Sequence, residues 1–215
     1  MFVPSFYSDP DSSWKIDLIR ANPLALAVSN GNLVDGPFAT HLPVIPDPGQ
    51  PGSEFPGDLS GLVLLAHMNQ ANPHWKALED GDTVLLTFTG PNSYVSPTVY
   101  QVTPAAPTWD FTSVHVRGTV EKFDSLEDTL EVVKATVRAF EERFGDGWDM
   151  TESLGYFRKI APAVGSFRIR VTGADGMFKL SQEQPEEVRE RVLASFAGSP
   201  CGHKRATADL MAKLP

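Results

Sequence analysis

The sequence predicts an antiparallel β-barrel with peripheral helices, an α+β fold that is mainly β. Three observations carry the prediction. Six to eight apolar segments of strand length recur along the 215 residues. Most of them join through Gly, Pro and Asn turn signals and not through helical crossovers, which disfavours a parallel α/β sheet. Three or four stretches of helical periodicity lie among the strands. Neither a G-x-G-x-x-G nor a Walker A pattern is present, so a Rossmann or P-loop fold has no support.

Ser12 or Ser13 is expected to cap a short helix with Trp14, Ile16, Leu18 and Ile19. The Asn22-Pro23 step ends it. Leu24 to Ser29 reads as a strand, Asn30-Gly31 as a hairpin turn and Phe38 to Ile45 as the returning strand. Residues 46–60 hold four prolines and three glycines without periodicity, which predicts a long loop. Leu62 to His67 reads as a buried strand and Ala71 to Leu78 as a short helix or turn. Thr83 to Thr89 alternates and leads into a turn at Gly90-Pro91-Asn92, and Tyr94 to Tyr100 forms a short segment broken by Pro97. Phe111 to Phe123 is a long strand with Val114, Val116 and Val120 on one face and His115 and Arg117 on the other. Ser125 caps a helix to Arg143 whose apolar stripe is Leu126, Leu130, Val133, Val137 and Phe140. Residues 152–160 form a further short helix. Ser166 to Thr172 and Met177 to Ser181 pair as a hairpin around Ala174-Asp175-Gly176, and Pro185 opens a last helix with Val188, Val192 and Leu193. The length suits one or at most two domains, and a single domain over 1–215 with a C-terminal helical extension from about 185 is expected.

The formal net charge of −9 gives no electrostatic footprint for nucleic acid. The densest basic groups are only Arg168 with Arg170 and Lys204 with Arg205. A single cysteine, Cys201, rules out an intrachain disulfide. No basic segment followed by an apolar one opens the chain, and no apolar run reaches membrane-spanning length, so a cytoplasmic protein is expected.

The densest chemistry lies in His67-Met68-Asn69-Gln70-Ala71-Asn72-Pro73-His74-Trp75-Lys76, where a strand passes into a short helix. His67 or His74 could ligate a metal centre, and Asn72 and Lys76 could meet anionic groups. The alternative is a His67 hydrogen-bonded to backbone and a Trp75 in the core. Gly90 to Pro97, which includes Ser96, could expose amides and hydroxyls to an anion, or be a plain turn. Trp109-Asp110 leads to His115, and a hairpin would set Lys179 and Ser181, followed by Gln182, on one face suited to phosphate or carboxylate. No Ser–His–Asp or Cys–His arrangement can be assembled, and no histidine pair has cysteine-backed zinc spacing.

Phe38-Ala39-Thr40-His41-Leu42-Pro43, His67-Met68 with Ala71-Asn72-Pro73 and Trp75-Lys76, Gly90-Pro91 with Tyr94-Val95-Ser96-Pro97, Pro107-Thr108-Trp109 with Val114-His115, and Lys179-Leu180-Ser181-Gln182 occur in that order. Together they resemble the PaiB family of FMN-binding negative transcriptional regulators. The resemblance implies an FMN-binding-like split β-barrel, a homodimer and cofactor sites at the subunit interface. The chain departs from the common family pattern at His74, Thr98-Val99-Tyr100, Asp110-Phe111 and Met177-Phe178. With Gly147-Trp148-Asp149-Met150-Thr151, these departures resemble the branch that contains haem-dependent piperazate synthases. That branch implies haem b in place of FMN and an amino-acid substrate, N-δ-hydroxy-ornithine, closed through an N–N bond. It further implies His67 as the axial iron ligand, with His41 and His115 as second choices. Asp110, Thr40 and His41 become the candidate catalytic set. Asn72, Trp75, Lys76, Ser96, Trp109, His115, Lys179, Ser181 and Gln182 become candidate cofactor contacts. An FMN flavoprotein and a PaiB-type regulator remain the alternatives, and nucleic-acid or membrane partners are not expected.

Overall fold

The computed structural model describes residues 1–11, 13–30, 37–50 and 58–214. Ser12, Gly31 of the expected hairpin turn and 51–57 of the expected loop lie outside the described residues. Strands β1 (Leu24–Ser29), β2 (Phe38–Pro46), β3 (Val63–Asn69), β4 (Thr83–Val95), β5 (Thr108–Lys122) and β6 (Val164–Lys179) close into an antiparallel barrel. Their order is β1-β2-β3-β6-β5-β4, and β1 closes the ring by pairing with both β2 and β4. Among the described residues, closure leaves no free barrel edge for a stray strand to extend.

The chain divides into two compact units, and β4, β5 and β6 each run from one into the other. The first unit comprises Met1–Ala21, Thr89–Val114 and Asp175–Pro215. Here α1 (Ser13–Ala21) buries Leu18 and Ile19, and its Trp14 meets Phe178 edge-on at 5.2 Å. α3 (Pro97–Tyr100) starts from a Ser96 cap with Pro97 in its first turn. α6 (Glu186–Ala197) and α7 (Gly202–Met211) pack on each other, with Val192, Phe196 and Met211 buried. The second unit comprises Asn22–Phe88 and His115–Ala174. In it β2 and β3 support α4 (Leu126–Phe144): Ile45 and Leu65 pack with Val132, flanked by Phe123, Ala135, Ala139 and Phe140. α2 (Pro73–Ala77) and α5 (Leu154–Ile160) complete this unit.

Several expectations are corrected. Gly90-Pro91-Asn92 is not a turn but the interior of β4. Buried positions run Val84, Leu86, Phe88, Gly90 and then shift phase to Ser93 and Val95, the signature of a bulge, which tolerates proline. Gly90 is needed for close approach, since a Cβ there would lie 2.4 Å from Thr112 Oγ1. Ala174-Asp175-Gly176 likewise lies inside β6, where the buried phase slips between Gly173 and Ala174, so the expected hairpin is one continuous strand. The segment from Tyr94 breaks at Pro97 as expected, and residues 97–100 are helical because Ser96 and Pro97 form a helix start. The buried stripe of α4 is Thr129, Leu130, Val132 and Thr136, while Leu126 at its first turn is 39% exposed. In α6, Phe196 and not Leu193 completes the apolar face. α6 is not the last helix: α7 follows it, and its Ala, Thr and Lys content hid it from a purely apolar pattern. No described helix is long and apolar enough to cross a membrane.

Candidate functional site

In the second unit, β3 places His67 opposite Ser166 of β6. The His67 ring is largely buried, and its Nδ1 has no hydrogen-bond partner among the described residues. Burial pushes its pKa below the ordinary histidine value, so the ring is neutral. A polar atom withdrawn from water without a partner costs about 1–3 kcal/mol, and such atoms are rare in folded proteins.

His74 is the opposite case. It is 2% exposed, and both of its ring nitrogens are engaged, Nδ1 with Thr40 Oγ1 and Nε2 with Ser29 Oγ, each at 2.9 Å. Phe38 stacks on the ring at 5.4 Å. Asn72 caps α2 by accepting the His74 backbone N–H at 2.9 Å, and its own amide donates to Thr40 Oγ1 at 3.3 Å. His74 therefore has no nitrogen left for a metal, and Thr40 and Asn72 are committed to holding it. Trp75 packs on the Cα of Gly165, and Lys122 sits 4.2 Å over its ring while donating to the Trp75 carbonyl. Lys76 and His41 are exposed, and His115 is half-buried on β5.

The first unit gathers the other candidates. Asp110 is fully buried. Its Oδ2 accepts Ser181 Oγ at 2.6 Å, and its Oδ1 has no partner among the described residues. Burial pushes the carboxyl up to about 6, with Glu183 adding to the rise and Ser181 and Lys179 opposing it. Ser181 is fully buried in the left-handed region at φ 64°, a conformation costly outside glycine and enriched at functional sites. Lys179 donates to Thr108 Oγ1 and to the Trp109 carbonyl at 3.1 Å. Gln182 straps the backbone locally, its side chain bonding Leu180 N and Phe178 O. Trp109 is 53% exposed, and its indole donates to Asn92 at 3.1 Å. Ser96 is spent on capping α3 and on Thr98.

Sequence reasoning assigned no role to three groups of this unit. Tyr100 is 2% exposed, and its hydroxyl has no partner among the described residues. Glu183 accepts a hydrogen bond from Tyr7, and burial first and this carboxylate second push the Tyr7 phenol well above the ordinary range. Tyr100 lies inside a matched segment and Glu183 directly follows one, which is the signal that could have found them; Tyr7 has none. Among the described residues no three His, Cys, Asp or Glu side chains gather as a metal site. The Gly147–Thr151 segment borders an open cleft of about 370 Å³ with Lys134, Arg138 and Glu141 of α4.

Residues 1–173 match the family model described as "Putative FMN-binding domain". The chain belongs to that family. Over 213 residues it is 22% identical to "Protease synthase and sporulation protein PAI 2" of Bacillus subtilis, covering 98% of this chain and 96% of that protein. Its fold is similar to that of the FAD- and haem-binding protein of Mycobacterium smegmatis, with a TM-score of 0.57 and 17% identity, covering 87% of this chain and 80% of that one. A flavocytochrome from Azotobacter vinelandii gives a TM-score of 0.53 at 16% identity, with 86% and 75% covered. Membership of the family and the closed barrel agree with the expected PaiB-like split-barrel fold.

Proposed function

We propose that this protein is a haem-dependent piperazate synthase-like enzyme, with His67 as the residue that holds the iron. The observation that carries the proposal is the buried, neutral imidazole of His67 with an unpartnered Nδ1. A neutral histidine whose Nδ1 has no partner among the described residues fits haem ligation, whereas His74, with both nitrogens engaged, does not. Haem b would supply a Lewis acid that makes the hydroxylamine oxygen a better leaving group.

The reaction closes N-δ-hydroxy-ornithine on itself. The α-nitrogen lone pair forms the N–N bond as the N–O bond breaks, and the departing hydroxyl leaves as water with the proton lost from nitrogen. No electron partner is consumed. The α-nitrogen must first give up a proton to a base.

Two measurements test the proposal. Purified protein reconstituted with hemin should show a Soret band and convert N-δ-hydroxy-ornithine to a product lighter by one water. Yellow protein that retains FMN and lacks a Soret band would replace the haem proposal with the flavoprotein that the family description favours.

A further inference from the structure

We infer that the buried Asp110 and Tyr100 of the first unit, with the exposed carboxylate of Glu183 beside them, form an acidic site that takes a protonated primary amine, the α-ammonium of an amino acid. The inference goes beyond the cyclase proposal and stands on residues of the first unit alone. Two orphaned polar atoms support it: Asp110 Oδ1 and the Tyr100 hydroxyl are both buried without partners among the described residues. Their side chains are 0% and 2% exposed, so water does not reach them freely. Folded proteins rarely leave two such atoms in one neighbourhood without a guest.

The charges define the guest. Glu183 adds to the rise in the affinity of Asp110 for protons, and both carboxyl groups act on Tyr100. Lys179 is the cation that opposes them at Asp110, and it is held by Thr108 and the Trp109 carbonyl. Glu183 also receives the Tyr7 hydroxyl. The charges at Asp110 are thus the Glu183 carboxylate and the Lys179 ammonium, and Arg191 donates to the Tyr100 carbonyl at 3.0 Å. A guest that is positive and has only donors satisfies both orphans, because a carboxylate oxygen and a phenol oxygen can each accept. A guest with only acceptors would leave the Asp110 carboxylate oxygen unsatisfied. Ser181 positions the site: from its left-handed backbone it holds Oδ2 at 2.6 Å, which leaves Oδ1 turned to the guest.

The test is calorimetric titration of the full chain with L-norvaline, which has the α-ammonium and no δ-nitrogen. N-acetyl-L-norvaline, which lacks the cation, is the control. Norvaline should bind and its acetyl derivative should not. Affinity should rise about tenfold from pH 5 to pH 7.5, as a carboxyl near 6 ionises. Asp110→Asn should weaken binding by about tenfold or more. Tyr100→Phe should weaken it by several-fold while leaving the thermal midpoint unchanged or higher, because the free protein loses no hydrogen bond. Equal binding of the acetyl derivative, no binding of norvaline, or wild-type affinity in both variants would overturn the inference. A protein that binds norvaline in this way but shows no Soret band with hemin would keep the amine site and lose the cyclase.

Discussion

The His74 region and the Asp110 region are both buried and polar, yet they are built on opposite plans. Around His74 every strong group is answered: Thr40 and Ser29 take the ring nitrogens, Asn72 takes the backbone N–H, and Phe38 covers the ring. Around Asp110 the accounting stays open, with one carboxylate oxygen and one phenol unpartnered. A closed network rigidifies a fold, and an open one is held ready for a ligand. The two regions also answer pH with opposite signs. His74 and His67 have depressed pKa values, so the stability they lend is full above about 6.5 and is lost as pH falls below it. Asp110 has a raised pKa, so its protonated form favours the fold, and that contribution fades as pH climbs from 3.8 to above about 6.

The comparison breaks most visibly at His74. His74→Ala removes two buried hydrogen bonds and a stacked ring and should cost roughly 4 kcal/mol. In a chain of this size that is a fall of about 10 °C in Tm by thermal scanning. A fall of only a few degrees would mean that the network is not closed. Asp110→Asn sharpens the contrast from the other side. The wild type forfeits on the order of 3 kcal/mol as Asp110 ionises, so the variant should gain that much relative to it between pH 4 and pH 8 in denaturant melts. A parallel pair of pH profiles would show that Asp110 titrates normally. Gly165→Ala is the smallest change. A Cβ there lies 2.4 Å from the Trp75 ring and should cost about 2 kcal/mol through overpacking, read in the same melts.

The barrel was legible wherever burial alternates with period two. β1 matches the expected Leu24 to Ser29, and β5 buries Val114, Val116 and Val120 as its pattern required. It was illegible where glycine and proline serve close packing and bulges instead of turns, as at Gly90-Pro91 and Gly173 to Gly176. The site was legible in part. The motifs pointed to His67, Asp110 and Ser181, but a sequence does not say which polar atoms find partners. His67 and His74 sit seven positions apart with the same side chain, and only the fold separates a ring with an orphaned Nδ1 from a satisfied one. Tyr7 joins the acidic cluster from a short N-terminal turn that no local pattern marks.

The central claim is that an unpartnered His67 is reserved for iron, and the visible spectrum of hemin-reconstituted His67→Ala tests it directly. The account predicts loss of haem occupancy and of the wild-type Soret band, with little change in the Tm of the unloaded chain, because His67 Nδ1 gives up no hydrogen bond. Full occupancy with an unchanged spectrum would contradict it.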